Sequence, residues 1–251
     1  MPFAHRRDAG RLLAAELLRR GYGDADLAGP ELVVLGLPRG GVPVAYEVAT
    51  ALGADLDVIV VRKLGVPHQP ELAMGAIGEG GTRVLNPEVI RITGVSADAV
   101  DRVETAERTE LDRRVRRLRG IGGRVQLTGR VAIIVDDGIA TGSTALVACR
   151  VARSLGARRV VVATPVAPPD VAAMLGRVAD EVVCVELPAR FDAVGVHYED
   201  FSQTSDDEVT SLLTAQAVRS AAAGPKESVP DARGVAPDKD RAGCRYGVGD
   251  Q

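Results

Sequence analysis

Two adjacent carboxylates, Asp136 and Asp137, follow an apolar run from Val131 to Val135 and precede a loop rich in Gly, Ser and Thr. Five apolar residues in a row are typical of a central strand in a parallel sheet, and such strands carry ligand-binding residues at their carboxyl ends. Ionised carboxylates accept hydrogen bonds from hydroxyl groups. The two acids therefore indicate a ligand that has neighbouring hydroxyls.

The loop after the acids combines a flexible glycine with hydroxyl side chains and leads into a helical pattern. Backbone N–H groups at the start of a helix have no partner within the helix and can bind an anion. An acid pair beside an anion site is explained by a ligand that has both a phosphate and vicinal hydroxyls, as a sugar phosphate has. The residues expected to bind the phosphate are Ala140, Thr141, Gly142, Ser143 and Thr144.

Other interpretations of this stretch explain less of it. A Walker phosphate loop requires Gly-Lys-Ser/Thr after its glycines, and no such sequence occurs here. A nucleophile elbow is also absent. An ordinary strand that ends in an Asx-rich turn before a capped helix would explain one acid and one serine but not the remaining residues.

A second loop suited to a phosphate, Pro38-Arg39-Gly40-Gly41, lies where the first predicted strand leads into its helix. Glycine permits positive φ and close approach of the backbone to a ligand, and an arginine adds positive charge. Taken alone, this loop is equally well explained as a plain strand-to-helix turn. Because it and the acid pair are predicted at the same sheet edge, we expect Arg39, Gly40 and Gly41 to bind a second phosphate.

Two cations, Arg62 and Lys63, end the next predicted strand and could also reach that sheet edge. Positive charge placed there would stabilise negative charge that develops on a leaving group. The alternative is a solvated pair of cations at a strand end, which is a common surface feature. The position of the pair therefore favours a ligand contact without requiring one.

Aromatic residues are scarce in the chain, yet Phe191, Tyr198 and Phe201 fall within one predicted loop, residues 187–204, after the last core strand. Aromatic faces stack on planar heterocycles, so the loop could form a hood over a base, with Phe191 and Val194 as its contacts. The equally good alternative is packing of the C-terminal helix on the core, because large aromatic residues mostly serve cores.

Strands and helices alternate along the rest of the chain, which predicts an α/β fold with a doubly wound, mostly parallel sheet. Residues 64–95 contain short strand-like pieces and are expected to form a protruding hairpin, or lid. Residues 1–220 are expected to form one domain, and residues 221–251, rich in Gly, Pro and charge, a disordered tail. Predicted strands cover residues 32–37, 57–62, 131–135, 159–163 and 181–186, and predicted helices cover 6–20, 42–52, 96–119, 144–155, 170–178 and about 206–219.

Composition limits the classes of partner. The 251 residues have a net charge of −3 and only 3% aromatic residues, which argues against a nucleic-acid surface and favours a small polar metabolite. Three scattered cysteines suit a reducing compartment, and no apolar run approaches the roughly 20 residues that span a bilayer. A cytoplasmic protein with no membrane contact is therefore expected.

The stretch from Val131 to Thr144 resembles the phosphoribosyl-pyrophosphate (PRPP) signature of type I phosphoribosyltransferases, a hydrophobic strand followed by Asp-Asp and a Thr-Gly-x-Thr loop. The resemblance implies that the two acids hold the ribose 2- and 3-hydroxyls and that the loop binds the 5-phosphate. It further implies that the loop at Arg39 binds the diphosphate leaving group and that a basic residue at Arg62 or Lys63 contacts PRPP. The resemblance extends over roughly residues 5–215.

Within that family, the chain resembles stand-alone bacterial phosphoribosyltransferase-domain proteins whose acceptor is largely unassigned. The shared segments are Pro-Arg-Gly-Gly, Val-Arg-Lys-Leu-Gly-x-Pro, Glu-Leu-Ala-Met-Gly-Ala and Tyr-x-Asp-Phe-x-Gln-Thr-Ser. Phe191 and Val194-Gly195 are also similar to the purine-side hood of hypoxanthine and xanthine transferases, although the rest of that hood differs.

The resemblance implies transfer of the 5-phosphoribosyl group from PRPP to a small nitrogen-containing acceptor, with release of pyrophosphate. Asp136, Asp137 and Lys63 are the expected catalytic residues. Mg²⁺ is expected to bind through substrate phosphates, with Asp136 and Asp137 as its possible protein ligands, and a homodimer is expected. Two alternatives stay open: a non-catalytic PRPP-binding regulator, and a nucleotide-binding α/β protein that uses the Thr loop for another phosphate.

Overall fold

The computed structural model describes residues 2–24, 31–119 and 123–222. Most of the predicted tail, from residue 223 onward, lies outside the described residues. Residues 221 and 222, which were predicted to belong to the tail, instead end the last helix. No helix within the described part of the chain is both long and apolar enough to cross a membrane.

The centre of the fold is a five-stranded parallel sheet. Its strands are β1 (Leu32–Gly36), β2 (Asp55–Val58), β6 (Val131–Val135), β7 (Arg159–Val166) and β8 (Glu181–Glu186). They lie in the order β2-β1-β6-β7-β8. All residues of β1 and β6 are buried, because helices cover both faces of the sheet, and their composition of mostly Val, Ile and Leu suits such strands. The predicted α/β class is therefore confirmed.

Helices on the two faces of the sheet bury separate hydrophobic clusters. These helices are α1 (Arg6–Arg19), α2 (Gly41–Leu52), α5 (Ser143–Ser154), α6 (Pro169–Leu175) and α7 (Asp206–Ala222). The first face carries α1 and α2, with α7 packed beside α2, and the second face carries α5 and α6. Both β1 and β6 lead directly into a loop and then a helix, which places those loops at the carboxyl edge of the sheet.

The prediction of one strand from Asp57 to Arg62 is wrong. The strand β2 ends at Val58, and the chain then leaves the main sheet and enters a second, antiparallel sheet. This sheet contains most of the predicted lid, and two helices follow it. These elements are β3 (Val61–Val66), β4 (Gln69–Gly78), β5 (Arg83–Leu85), α3 (Pro87–Thr93) and α4 (Ala97–Arg119). The strand order in the second sheet is β3-β4-β5.

A buried ionic cluster joins the main sheet to the base of the second sheet. Arg119, at the end of α4, donates from Nε to Asp57 Oδ1 at 2.8 Å, bonds both carboxylate oxygens of Glu79, and donates to the Val58 carbonyl at 2.7 Å. Glu79 also accepts from the Val60 N–H at 3.1 Å. The strand switch at Val58 thus has its polar groups satisfied by residues that lie far away in sequence.

Candidate active site

The acid pair lies at the carboxyl end of β6, on the central strand of the main sheet. The Asp137 N–H donates to Asp136 Oδ1 at 3.0 Å, so the two carboxyl groups occupy one small region. Burial, together with the neighbouring charge of Asp137, raises the pKa of Asp136 well above its usual range. Adjacent acids in a partly enclosed site accept hydrogen bonds best when both are ionised, and nearby positive charge favours that state.

The Pro38-to-Gly41 loop packs directly against the acids. Leu37 N–H donates to the Val135 carbonyl at 2.8 Å, and the Pro38–Arg39 peptide bond is cis. A Cβ atom added at Gly40 would lie 2.0 Å from Asp137 Oδ2, and one added at Gly41 would lie 2.6 Å from the Val135 carbonyl oxygen. A side chain at position 41 would overlap the backbone of β6, and one at position 40 would displace the Asp137 carboxylate, so the loop lies directly against the strand and its acids.

Replacing Gly40 by Ala tests this contact. The added methyl group overlaps the Asp137 carboxylate, so we expect ligand binding at the acid pair to fall by about tenfold or more, the effect of displacing a charged hydrogen-bonding group by a fraction of an ångström. Calorimetric titration with PRPP and Mg²⁺, the ligand and ion that the sequence resemblance implies, measures the loss. Gly123→Ala is the control, because a Cβ atom there meets nothing within 4 Å. Equal affinity in both variants would contradict a tight contact between this loop and Asp137.

The Thr loop connects β6 to α5 and faces an open cleft. Gly142 adopts positive φ (73°) immediately before Ser143 begins the helix, and a Cβ atom at Gly142 would overlap Met174. Thr141, Ser143 and Thr144 line a cavity of about 730 Å³ between α5 and the second sheet. A volume of this size is within the range of small-molecule sites. The hydroxyls predicted to bind a phosphate are therefore accessible from this cleft.

Arg62 and Lys63 line the same cleft, and each is paired with a carboxylate of the second sheet or of α4. An Nη of Arg62 lies 2.6 Å from Glu107, and Lys63 Nζ lies 3.1 Å from Glu71. The Lys63 pair is largely exposed, so it contributes little to stability and can be exchanged readily for a ligand. These cations are close to the Thr loop, although their present partners are protein carboxylates.

Arg39 belongs to a separate group of cations near the first residues of α2 and α7. Its guanidinium lies 3.7 Å from Asp206, which Arg117 of α4 also contacts at 2.9 Å. One turn before Arg117, burial and the charges of Arg62 and Arg39 lower the pKa of Arg114. Guanidinium groups thus accumulate beside the Pro38-to-Gly41 loop, an arrangement that suits a polyanion.

The predicted hood lies over the loop that follows the acid pair. Most of the aromatic residues of the hood, however, pack against the N-terminal segment. Val194 covers Gly138, where an added Cβ atom would lie 2.3 Å from Val194 Cγ1. Phe191 stacks on His197 with 5.3 Å between ring centroids. Tyr198 is buried against Phe3. The alternative prediction, that these aromatic residues serve packing, is therefore partly right, but they pack on the N-terminal segment and not on the C-terminal helix.

One residue of the site was missed from the sequence, and a second was noted only as an aromatic residue of the hood loop. Arg6, at the start of α1, forms an ion pair with Asp137 in which Nε and Oδ2 are 2.7 Å apart. The Tyr198 hydroxyl donates to the Asp137 carbonyl at 2.5 Å. Tyr198 begins the segment Tyr-x-Asp-Phe-x-Gln-Thr-Ser, but nothing in that segment indicates a bond to Asp137. Arg6 has the pattern of an ordinary charged residue on an amphipathic helix, so the sequence offered no signal for it.

Potential metal ligands are few in the site. In the part of the chain that the structure describes, no three His, Cys, Asp or Glu side chains come together in an arrangement suited to a metal ion. The adjacent oxygens of Asp136 and Asp137 are ligands of the hard type that Mg²⁺ prefers, and Mg²⁺ commonly binds with few protein ligands alongside substrate phosphates. The acid pair therefore fits an ion that arrives with its substrate.

A parallel α/β sheet that carries an acid pair and two glycine-containing loops at its carboxyl edge is typical of proteins that bind phosphorylated ligands. The sequence model of the phosphoribosyl transferase domain matches residues 7–200. The chain belongs to this family, which confirms the resemblance found in the sequence.

Two relatives and one solved structure illustrate the similarity. Mycobacterium tuberculosis proteins of strains H37Rv and CDC 1551, both described as "putative phosphoribosyl transferase", are 58% identical over 211 residues, which is 84% of this chain and 46% of theirs. The chain thus spans about half the length of these relatives. The crystal structure of TT1426 from Thermus thermophilus is 44% identical, with a TM-score of 0.74, and the match covers 86% of this chain and 99% of that one.

Proposed function

We propose that the protein transfers the 5-phosphoribosyl group from PRPP to a nitrogen atom of a small acceptor and releases pyrophosphate. The observation that carries this proposal is the contact between the Pro38-to-Gly41 loop and Asp137, where an added Cβ atom at Gly40 would meet the carboxylate. This contact brings a loop suited to a diphosphate against an acid suited to ribose hydroxyls. PRPP is a ligand in which those two groups are neighbours on one sugar.

In the proposed reaction, the bond between ribose C1 and the diphosphate oxygen breaks, and its electron pair leaves with pyrophosphate. The acceptor nitrogen forms the new bond to C1 and loses a proton. Asp136 and Asp137 hold the ribose hydroxyls, and their negative charge stabilises the positive charge that develops on the ring. The Thr loop holds the 5-phosphate at the first turn of α5.

The cations would act on the leaving group. Arg39 and the neighbouring guanidinium groups lie beside the Pro38-to-Gly41 loop, which is proposed to bind the diphosphate. Lys63 lines the cleft and can exchange its partner Glu71 for a phosphate of the ligand. Mg²⁺ bound to PRPP, with Asp136 and Asp137 as its nearest acids, would supply further neutralisation of the diphosphate. These groups oppose the negative charge that accumulates as the bond to C1 breaks.

The acceptor is proposed to be a purine-like base that enters beneath the hood. Phe191 and Val194 support this choice. Phe191 has a half-buried ring, and Val194 covers Gly138, the residue directly after the acid pair. A cytoplasmic location and a homodimer are proposed along with the enzyme.

Calorimetric titration with PRPP and Mg²⁺, followed by measurement of pyrophosphate release across a panel of nitrogen bases, tests the function. We expect saturable PRPP binding and release that depends on one class of base. Tight PRPP binding with no turnover across the panel would favour a PRPP-binding regulator. Stronger binding of ATP than of PRPP would overturn the assignment of the donor and favour a different nucleotide-binding protein.

A further inference from the structure

The N-terminal segment pairs with the hood through backbone hydrogen bonds, and together the two segments lie over the acid pair. Phe3 N–H donates to the His197 carbonyl at 2.8 Å, and the Glu199 N–H donates back to the Phe3 carbonyl at 2.9 Å. The Asp200 N–H donates to the Ala4 carbonyl at 3.0 Å. This short parallel pairing brings Arg6, two residues after Ala4, to the edge of the site.

Arg6 makes three contacts that together fix its guanidinium. Its Nε donates to Asp137 Oδ2 at 2.7 Å, and its Nη1 donates to the Ser202 carbonyl at 2.5 Å. The guanidinium carbon also lies 4.0 Å from the centre of the Phe201 ring, in a cation–π contact. The Arg6 and Asp137 side chains are only 12% and 13% exposed, so solvent screens this pair weakly.

We propose that Arg6 is a positioning residue of the donor site: its guanidinium holds the Asp137 carboxylate in the orientation in which it accepts hydrogen bonds from the ribose hydroxyls. Because it also holds the Ser202 carbonyl, Arg6 links the geometry of the acid to the position of the hood. This inference rests on the proposed function for the identity of the ligand, but the effect of Arg6 on the hood does not depend on that ligand.

Three variants separate charge from structure. Arg6→Gln removes the charge, Arg6→Lys retains the charge but not the planar guanidinium, and Arg11→Gln is the matched control on the exposed face of the same helix. Hydrogen exchange of the Glu199 and Asp200 amides, which donate to the Phe3 and Ala4 carbonyls, reports on the hood with no ligand present. Circular dichroism verifies that every variant is folded.

We expect the two amides to exchange faster in Arg6→Gln and at the wild-type rate in Arg11→Gln, with Arg6→Lys between them. PRPP affinity of Arg6→Gln at pH 7 should fall by about tenfold or more, as for loss of a charge-assisted hydrogen bond, and Arg6→Lys should recover part of that loss. Unchanged exchange in Arg6→Gln would overturn the inference even if PRPP binds the wild type. Faster exchange in a protein that does not bind PRPP would support the role of Arg6 and overturn the proposed function alone.

Discussion

Asp136→Asn and Asp137→Asn should each lower the rate of pyrophosphate release by about a hundredfold or more, the range found when a group that stabilises transition-state charge is removed. An amide is nearly the same size as a carboxylate, so the loops around the acids keep their shape. It is neutral, however, and therefore stabilises the developing positive charge on ribose far less. Release assayed at saturating PRPP and acceptor isolates this effect on kcat.

The two substitutions should differ in their effect on donor binding. Asp137 is the partner of Arg6, so its replacement leaves a weakly exposed guanidinium without its carboxylate and should also raise the dissociation constant of PRPP. Asp192→Asn, an exposed residue of the hood loop, serves as the control. If Asp136→Asn and Asp137→Asn both retained wild-type turnover, the acids would have no part in the reaction and the proposed assignment of the donor site would be wrong.

The central part of the site was predictable because it is encoded locally. The acids, the Thr loop and the helix after them occupy one strand-turn-helix unit, and the boundaries of β6 coincide with the predicted ones. The same holds for the loop at Arg39, which follows the neighbouring strand of the same sheet. Rules for parallel sheets then bring both loops to one edge without any knowledge of long-range contacts.

The features that were not predicted depend on partners distant in sequence. Arg6 meets Asp137 across 131 positions of the chain, and only the pairing of the N-terminal segment with the hood brings them together. The strand from Asp57 to Arg62 was predicted as continuous because its apolar pattern is continuous. The pattern gives no indication that Arg119, 62 positions later, binds Asp57 and the Val58 carbonyl where the chain changes sheets.

Arg119→Met should lower the free energy of unfolding by about 3–5 kcal/mol, the usual cost of removing one partner from a buried ionic cluster. The Asp57 and Glu79 side chains are both only 4% exposed, and Arg119 is the cation that contacts both of them. Methionine fills most of the volume but leaves two buried carboxylates with less compensation. Urea denaturation monitored by circular dichroism measures the change, and Arg113→Ala, which removes a largely exposed ion pair with Glu110, is the control and should leave the free energy of unfolding almost unchanged.

The pH dependence of that loss distinguishes an electrostatic role from simple packing. Burial already raises the pKa of Asp57 in the folded wild type, and loss of Arg119 removes the charge and the side-chain hydrogen bond that oppose this effect, leaving only the backbone hydrogen bonds from Val58 and Val125. An acid whose pKa is higher in the folded state than in the unfolded state favours folding at low pH, and that contribution disappears as pH rises through the folded pKa. The deficit of Arg119→Met relative to wild type should therefore shrink as the pH falls below neutrality. A difference in the free energy of unfolding that stays constant with pH would indicate that Arg119 acts through its volume and hydrogen bonds alone. The position of the second sheet relative to the main sheet would then depend on packing and not on the buried charges that join the two sheets.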